Sequence, residues 1–170
     1  VIESTKKHVV VVNGITEYEG GFYLYKTTNA KDSNISQKMA EQYGSIMTYV
    51  MKNNITMSGM PFTIYNEMNQ ENETVIMSNC IPVNQNIEIT KDNDISCGFM
   101  SNTKVLKTTL KGNYTYLSDA WDIAFKYVED NHLVLSQEKP FEIYTNDPEN
   151  FPNPADWTTE IYIPLVEDKK

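Results

Sequence analysis

The 170-residue chain has no arginine: all fourteen basic side chains are lysines, set against 23 acidic residues for a net charge of −9. Arginine's planar guanidinium is the usual bidentate reader of guanine and phosphate, and a net-negative domain repels the nucleic-acid backbone, so this segment is not expected to bind nucleic acid directly. The only cysteines are Cys80 and Cys97, and the only histidines His8 and His132. They form no CxxC pair and no zinc-ligand spacing, so neither a metal nor a cofactor is expected, and the two thiols are read as buried and free, with a Cys80–Cys97 disulfide as the alternative. No apolar run approaches the roughly 18 residues that a membrane-crossing helix needs, and there is no basic-then-apolar leader, so membrane contact by this segment is not expected and a cytoplasmic location is. A nucleophile elbow, a Gly-rich phosphate loop and a Ser/His/Asp pattern are also missing, which leaves covalent catalysis and nucleotide use without support. The chain starts at Val1 rather than a methionine, which allows a preceding domain, anchor or signal.

What is present is a repetition. Pro61-Phe62-Thr63-Ile64-Tyr65 returns as Pro140-Phe141-Glu142-Ile143-Tyr144, and Ile81-Pro82-Val83 returns as Ile163-Pro164-Leu165. Upstream, Tyr43 and Tyr49-Val50 match Trp121 and Tyr127-Val128, and Lys26-Thr27-Thr28 matches Lys107-Thr108-Thr109. Four matches in one order, all offset by about 80 residues, are too long and too few for a solenoid and read as two related halves. With 40 % apolar residues, the length suits one buried domain. The expectation is a single domain over 1–170, with a first half at about 20–84, a connector at 85–97 and a second half at about 98–168. Two packed halves imply a central cleft, and clefts bind ligands.

Met39, Tyr43, Ile46, Met47 and Val50 fall at helical spacing, as do Leu117, Ala120, Trp121, Ala124, Phe125 and Val128. Each set predicts an amphipathic helix, the first over 36–53 with Ser36 as N-cap, the second ending near Asn131. Strand-type runs lie at 22–28, 61–66 and 74–83, and again at 104–110, 140–145 and 159–166, with loops at 66–73 and 84–97 and an edge strand allowed at Val9–Val12. The predicted class is α+β, a duplicated strand-helix-strand-strand module forming one pseudo-twofold domain with a central cleft. Side chains alternate along a strand. If Phe141 and Ile143 meet the helix, Glu142 and Tyr144 face the cleft, as do Thr63 and Tyr65 in the first half.

The stretch Lys139 to Pro148, followed by Pro152 to Trp157 and by Thr159 to Leu165, resembles the closing signature of the GyrI-like family, the small-molecule effector-binding domain found alone or fused to bacterial transcription activators. Lys111-Gly112-Asn113-Tyr114 resembles that family's entry to its second helix, and the likeness covers roughly 20 to 168. It implies a duplicated α+β module with an aromatic-lined pocket that holds a carboxylate. In drug-sensing relatives that carboxylate meets lipophilic cations, and some stand-alone relatives are similar to hydrolases of electrophilic compounds. Glu142 stands at the matching position and Trp157 at the matching aromatic. Some relatives carry a second acid two positions before that aromatic, where this chain has Ala155.

Burying an isolated carboxylate is costly, so a glutamate between Phe141 and Ile143 suggests a task. Ligand contacts are expected from Glu142, Tyr144, Tyr65, Tyr114 and Trp157, while Tyr43, Trp121 and Tyr127 read as helix residues with Tyr43 and Trp121 in the buried stripe. The leading function is non-covalent binding of an amphipathic aromatic ligand, cationic in the reading that uses Glu142 as counter-ion. The enzymatic alternative makes Glu142 the general base of a hydrolase acting on electrophilic xenobiotics, with a tyrosine hydroxyl nearby. A third reading is a protein-interaction module of the gyrase-inhibitory type, with a protein partner. Asn146-Asp147-Pro148 reads as a turn, and Asp130-Asn131-His132 as a helix end rather than a catalytic base.

Overall fold

The computed structural model describes residues 8–31, 33–69, 71–89, 94–146 and 152–166. In chain order the elements are β1 (Val9–Tyr18), β2 (Gly21–Lys31), α1 (Ile35–Lys52), β3 (Phe62–Asn69), β4 (Thr74–Val83), β5 (Ser96–Met100), β6 (Thr103–Lys111), α2 (Leu117–Asp130), β7 (Phe141–Tyr144) and β8 (Thr158–Pro164), with a 3₁₀ turn over Tyr114–Tyr116. The class is α+β. The chain divides into two compact units: an inner one, Glu19–Asn102, and an outer one made of the stretch through Tyr18 and the stretch from Thr103 onward.

The inner unit is an antiparallel sheet in the order β5-β2-β4-β3, with α1 on one face. Ile46 and Val50 of α1 pack with Leu24, Ile81, Val83 and Ile95, all buried. The outer unit is an antiparallel sheet in the order β1-β6-β8-β7. Here Ala120, Ala124 and Val128 of α2 pack on Leu106, Leu110, Ile161 and Ile163. The small alanines let the helix backbone approach the sheet closely, and the branched residues beneath fill the space, the close packing that stabilises a core.

Several sequence expectations need correction. The segment 96–100, read as the end of a connector and the start of a second half, is β5, and it pairs with β2 from Gly21↔Met100 to Tyr25↔Ser96. Ser36 lies inside the first turn of α1. The cap position is Asn34, whose side chain accepts from Lys31 N–H at 2.8 Å while its carbonyl takes the first helical bond, from Lys38 N–H. The loop expected at 66–73 is shorter, because β3 runs on to Asn69 after a bulge between Tyr65 and Glu67. The valine run does form an edge strand, longer than expected.

The largest correction concerns faces. In register, Glu142 lies opposite Ile161 and Tyr144 opposite Thr159, on the face that α2 covers; Phe141 lies opposite Tyr162, on the other. Likewise Thr63 lies opposite Asn79 on the α1 side, and Phe62 opposite Cys80 away from it. The expectation had inverted both strands. The helices find their apolar partners on β6 and β8, or on β2 and β4, so β7 and β3 are free to turn polar groups toward them. Phe141 is buried instead against Tyr18 and Tyr162, with ring centroids 5.0 and 5.2 Å away.

Candidate functional site

Glu142 is 1 % exposed. Its Oε1 accepts from the indole N–H of Trp121, on α2, at 2.5 Å, and its Oε2 accepts from the hydroxyl of Tyr144, two residues along β7, at 2.8 Å. Residues two apart on a strand share a face, so Tyr144 reaches the carboxylate without leaving β7. Hydrogen bonds to an ionised group are worth about 1.5–3 kcal/mol each, enough to fix the carboxylate in one rotamer.

Beyond Tyr144 the site continues as aromatic rings. Tyr114 packs on Tyr144 at 5.8 Å between centroids and on Trp157 at 4.5 Å. Local chemistry sets these positions. Gly112, at φ 144°, gives β6 an exit that side-chain-bearing residues rarely adopt, and its N–H bonds the Trp157 carbonyl at 2.8 Å. The Asn113 side chain then accepts from Thr115 N–H and starts the turn that carries Tyr114. Asn146 holds the Trp157 loop from both sides: its amide donates to the Asp156 carbonyl and its oxygen accepts from Thr158 N–H, both at 2.9 Å. Thr108 and Thr159, fully buried, have hydroxyls without a partner among the described residues, and Thr159 sits opposite Tyr144.

Of the expected ligand residues, Glu142, Tyr144, Tyr114 and Trp157 thus come together in the outer unit. Tyr65 belongs to the inner unit, buried on β3 on the same face as Thr63. Two contributors escaped the sequence reading. Trp121 was assigned to the core stripe, although the repeat pairs it with Tyr43. In the inner unit Tyr43 bonds the Phe62 carbonyl at 2.7 Å and the Thr63 hydroxyl at 2.6 Å. Thr63 donates to Asn79 Oδ1 at 2.9 Å, and Asn79 donates to Gln42 at 2.7 Å, which makes a buried polar network. Asn146 was read only as part of a turn, whose Asp147 and Pro148 lie outside the described residues.

His132 has φ 55° and its N–H bonds the Glu129 carbonyl, at the close of α2. Cys80 is buried and Cys97 half-buried, both as free thiols. Burial pushes the Cys80 thiol well above its ordinary range. Among the described residues no cluster of three or more His, Cys, Asp and Glu could hold a metal ion, and no helix is long and apolar enough to cross a membrane.

The sequence of residues 22–166 matches the GyrI-like small molecule binding domain. The chain belongs to the GyrI-like family. Its fold is similar to that of the EcmrR C-terminal domain, with a TM-score of 0.78 and 22 % identity over 95 % of this chain and 99 % of that one. The same likeness, with TM-score 0.78 and 22 % identity over 98 % of this chain, extends to EcmrR in its complex with DNA, of whose length this GyrI-like chain spans 60 %. It is also similar to SAV2435 bound to tetraphenylphosphonium, with a TM-score of 0.57 and 9 % identity over 89 % of this chain and 92 % of that one. A comparison with curated proteins gives no match.

Proposed function

We propose that this GyrI-like domain binds an aromatic organic cation in the outer unit, with Glu142 as counter-ion and Tyr144, Tyr114 and Trp157 as ring contacts. The observation that carries the reading is the buried carboxylate of Glu142, held by Trp121 and Tyr144 at the end of an aromatic run. A delocalised cation gains from both parts. The carboxylate supplies attraction in a water-poor setting, and each well-placed ring adds about 0.5–2 kcal/mol. The tetraphenylphosphonium bound to SAV2435 is a ligand of this class, while Ala155, where some relatives carry a second acid, argues against strong selectivity for cations.

The same reading treats the two units as copies of one module. Each runs strand, helix, strand, strand; each sets the repeated Pro-Phe-x-Ile-Tyr on the third of these; and in each an aromatic from the helix bonds the residue after that phenylalanine. Only the outer copy has a carboxylate there, so the charge chemistry is assigned to it.

The test is titration of tetraphenylphosphonium and of neutral triphenylphosphine oxide, followed by tryptophan fluorescence, since Trp121 and Trp157 are the only tryptophans. Glu142→Gln should weaken the cation by about 1–3 kcal/mol, the scale of a charge-assisted contact, and the neutral compound much less. Equal losses would remove Glu142 as counter-ion. The Tyr144 hydroxyl on Glu142 favours one second reading, hydrolysis of an electrophilic ligand with Glu142 as base. Turnover that Glu142→Gln abolishes, with affinity for a neutral ligand intact, would establish it.

A further inference from the structure

We propose a second binding site on the sheet face of the outer unit turned away from α2, for a neutral hydroxylated ring such as a monosaccharide. A hollow of about 420 Å³ opens there, floored and walled by Asn13, Gly14, Thr16, Tyr18, Lys107 and Tyr162. The register puts Gly14 opposite Lys107, Lys107 opposite Tyr162 and Tyr162 opposite Phe141, all on the face away from the helix. The volume falls within the roughly 300–1,000 Å³ typical of small-molecule sites.

The hollow is built by a break in β1. Pairing with β6 skips from Val12↔Thr108 to Gly14↔Lys107, leaving Asn13 as the extra residue of a bulge. Gly14 takes φ 111°, which disfavours any side chain. Bulges re-aim side chains, and here Asn13 is turned so that its oxygen accepts from the Thr109 hydroxyl at 2.6 Å. That contact orients the Asn13 amide, whose two N–H groups are donors.

The donor and acceptor inventory suits hydroxyl groups. Lys107 sits 3.4 Å from Glu160 Oε2, both half-buried, and Tyr162 donates to Glu160 Oε1 at 2.7 Å. Burial and the adjacent Glu160 push the Tyr162 hydroxyl upward from its ordinary value, so it stays protonated and its oxygen still accepts. Lys107, the Asn13 amide and Thr16 offer donors; Tyr162 and Thr16 offer acceptors. A ligand whose groups both donate and accept, as hydroxyls do, matches such an alternation. Tyr162 is only 6 % exposed, so the half-buried Tyr18, its ring neighbour 5.1 Å away, supplies the apolar edge that meets the C–H face of a sugar ring. Lys107 and Glu160 cancel in charge, and Glu17 also lines the hollow, so an anionic sugar is disfavoured.

The experiment is an NMR titration of the ¹⁵N-labelled whole chain with methyl glycosides of glucose, mannose, galactose and N-acetylglucosamine, and with glucuronate as the anionic control. At least one neutral glycoside should give saturable shifts in the amides of residues 13–18 and 107, while the indole signals of Trp121 and Trp157 stay in place. Lys107→Met should weaken that binding about tenfold, the effect of losing a hydrogen bond to a charged group. Should that variant fail to fold, Thr16→Val tests the same wall with an unchanged ion pair. Saturating tetraphenylphosphonium should leave the glycoside titration as it is, so this site stands or falls independently of Glu142. No saturable shift with any neutral glycoside, shifts centred on the indoles, or glucuronate binding as well as the neutral sugars would overturn the proposal.

Discussion

Replacing Trp121 by phenylalanine keeps an aromatic ring on α2 but removes the only N–H that this side chain can offer to Glu142. From the 2.5 Å contact with Glu142, the lost hydrogen bond to an ionised acceptor is worth about 1.5–3 kcal/mol. The smaller ring also gives up packing against Phe125, its stacked neighbour 5.8 Å away, for about 1 kcal/mol more. The variant should therefore be about 2.5–4 kcal/mol less stable. Glu142→Met separates the two contributions, because methionine fills similar space without accepting the hydrogen bond. In that background Trp121→Phe should lose only the packing part, leaving a coupling of about 1.5–3 kcal/mol between the two positions. Urea unfolding followed by far-UV circular dichroism measures all four proteins without relying on tryptophan emission. If Trp121→Phe loses as much stability in the Glu142→Met background as it does with Glu142 in place, the indole does not hold the carboxylate, and the positioning argument fails.

Two more predictions rest on other parts of the chain. Asn79 is fully buried between Thr63 and Gln42, so Asn79→Ala should lower stability by about 2–4 kcal/mol in urea unfolding by stranding both partners; a loss below about 1 kcal/mol would mean the network contributes little. Burial raises the Cys80 thiol, so iodoacetamide at mildly alkaline pH should label the native protein once, at Cys97, and a second time only after unfolding, as read by mass spectrometry. Because the unfolded thiol ionises first, near pH ~8.5, this group's share of stability is intact below that pH and is lost as pH climbs beyond it; rapid double labelling of native protein would contradict the burial.

Much of this fold could be read from the residues. The apolar spacing of 39–50 and 117–128 located both helices, and β-branched and aromatic runs located the strands, because these patterns are local and each element must present an apolar stripe to some core. Glu142 stands out as a carboxylate on an apolar strand beside its repeat, where Thr63 is neutral, and Tyr144 shares its face by alternation; Tyr114 and Trp157 enter through the resemblance to the GyrI-like family. Alternation divides a strand into two faces, but it does not say which one the helix covers. Strands such as β3, β4 and β8 bury side chains on both faces, so Phe141 and Ile143 met the apolar criterion for either side. The choice fell to neighbours distant in sequence: Leu106, Leu110, Ile161 and Ile163 satisfy α2, which sends Phe141 to Tyr18 and Tyr162 and leaves Glu142 facing Trp121. The role of Trp121 depends in the same way on tertiary placement, since an indole in a helix stripe looks like core until a carboxylate from another element is laid against its N–H. Composition and periodicity determined what each segment is, because those are properties of neighbours along the chain. Which polar groups meet was decided only when strands paired, because strand register and the choice of covered face depend on residues far apart in the sequence.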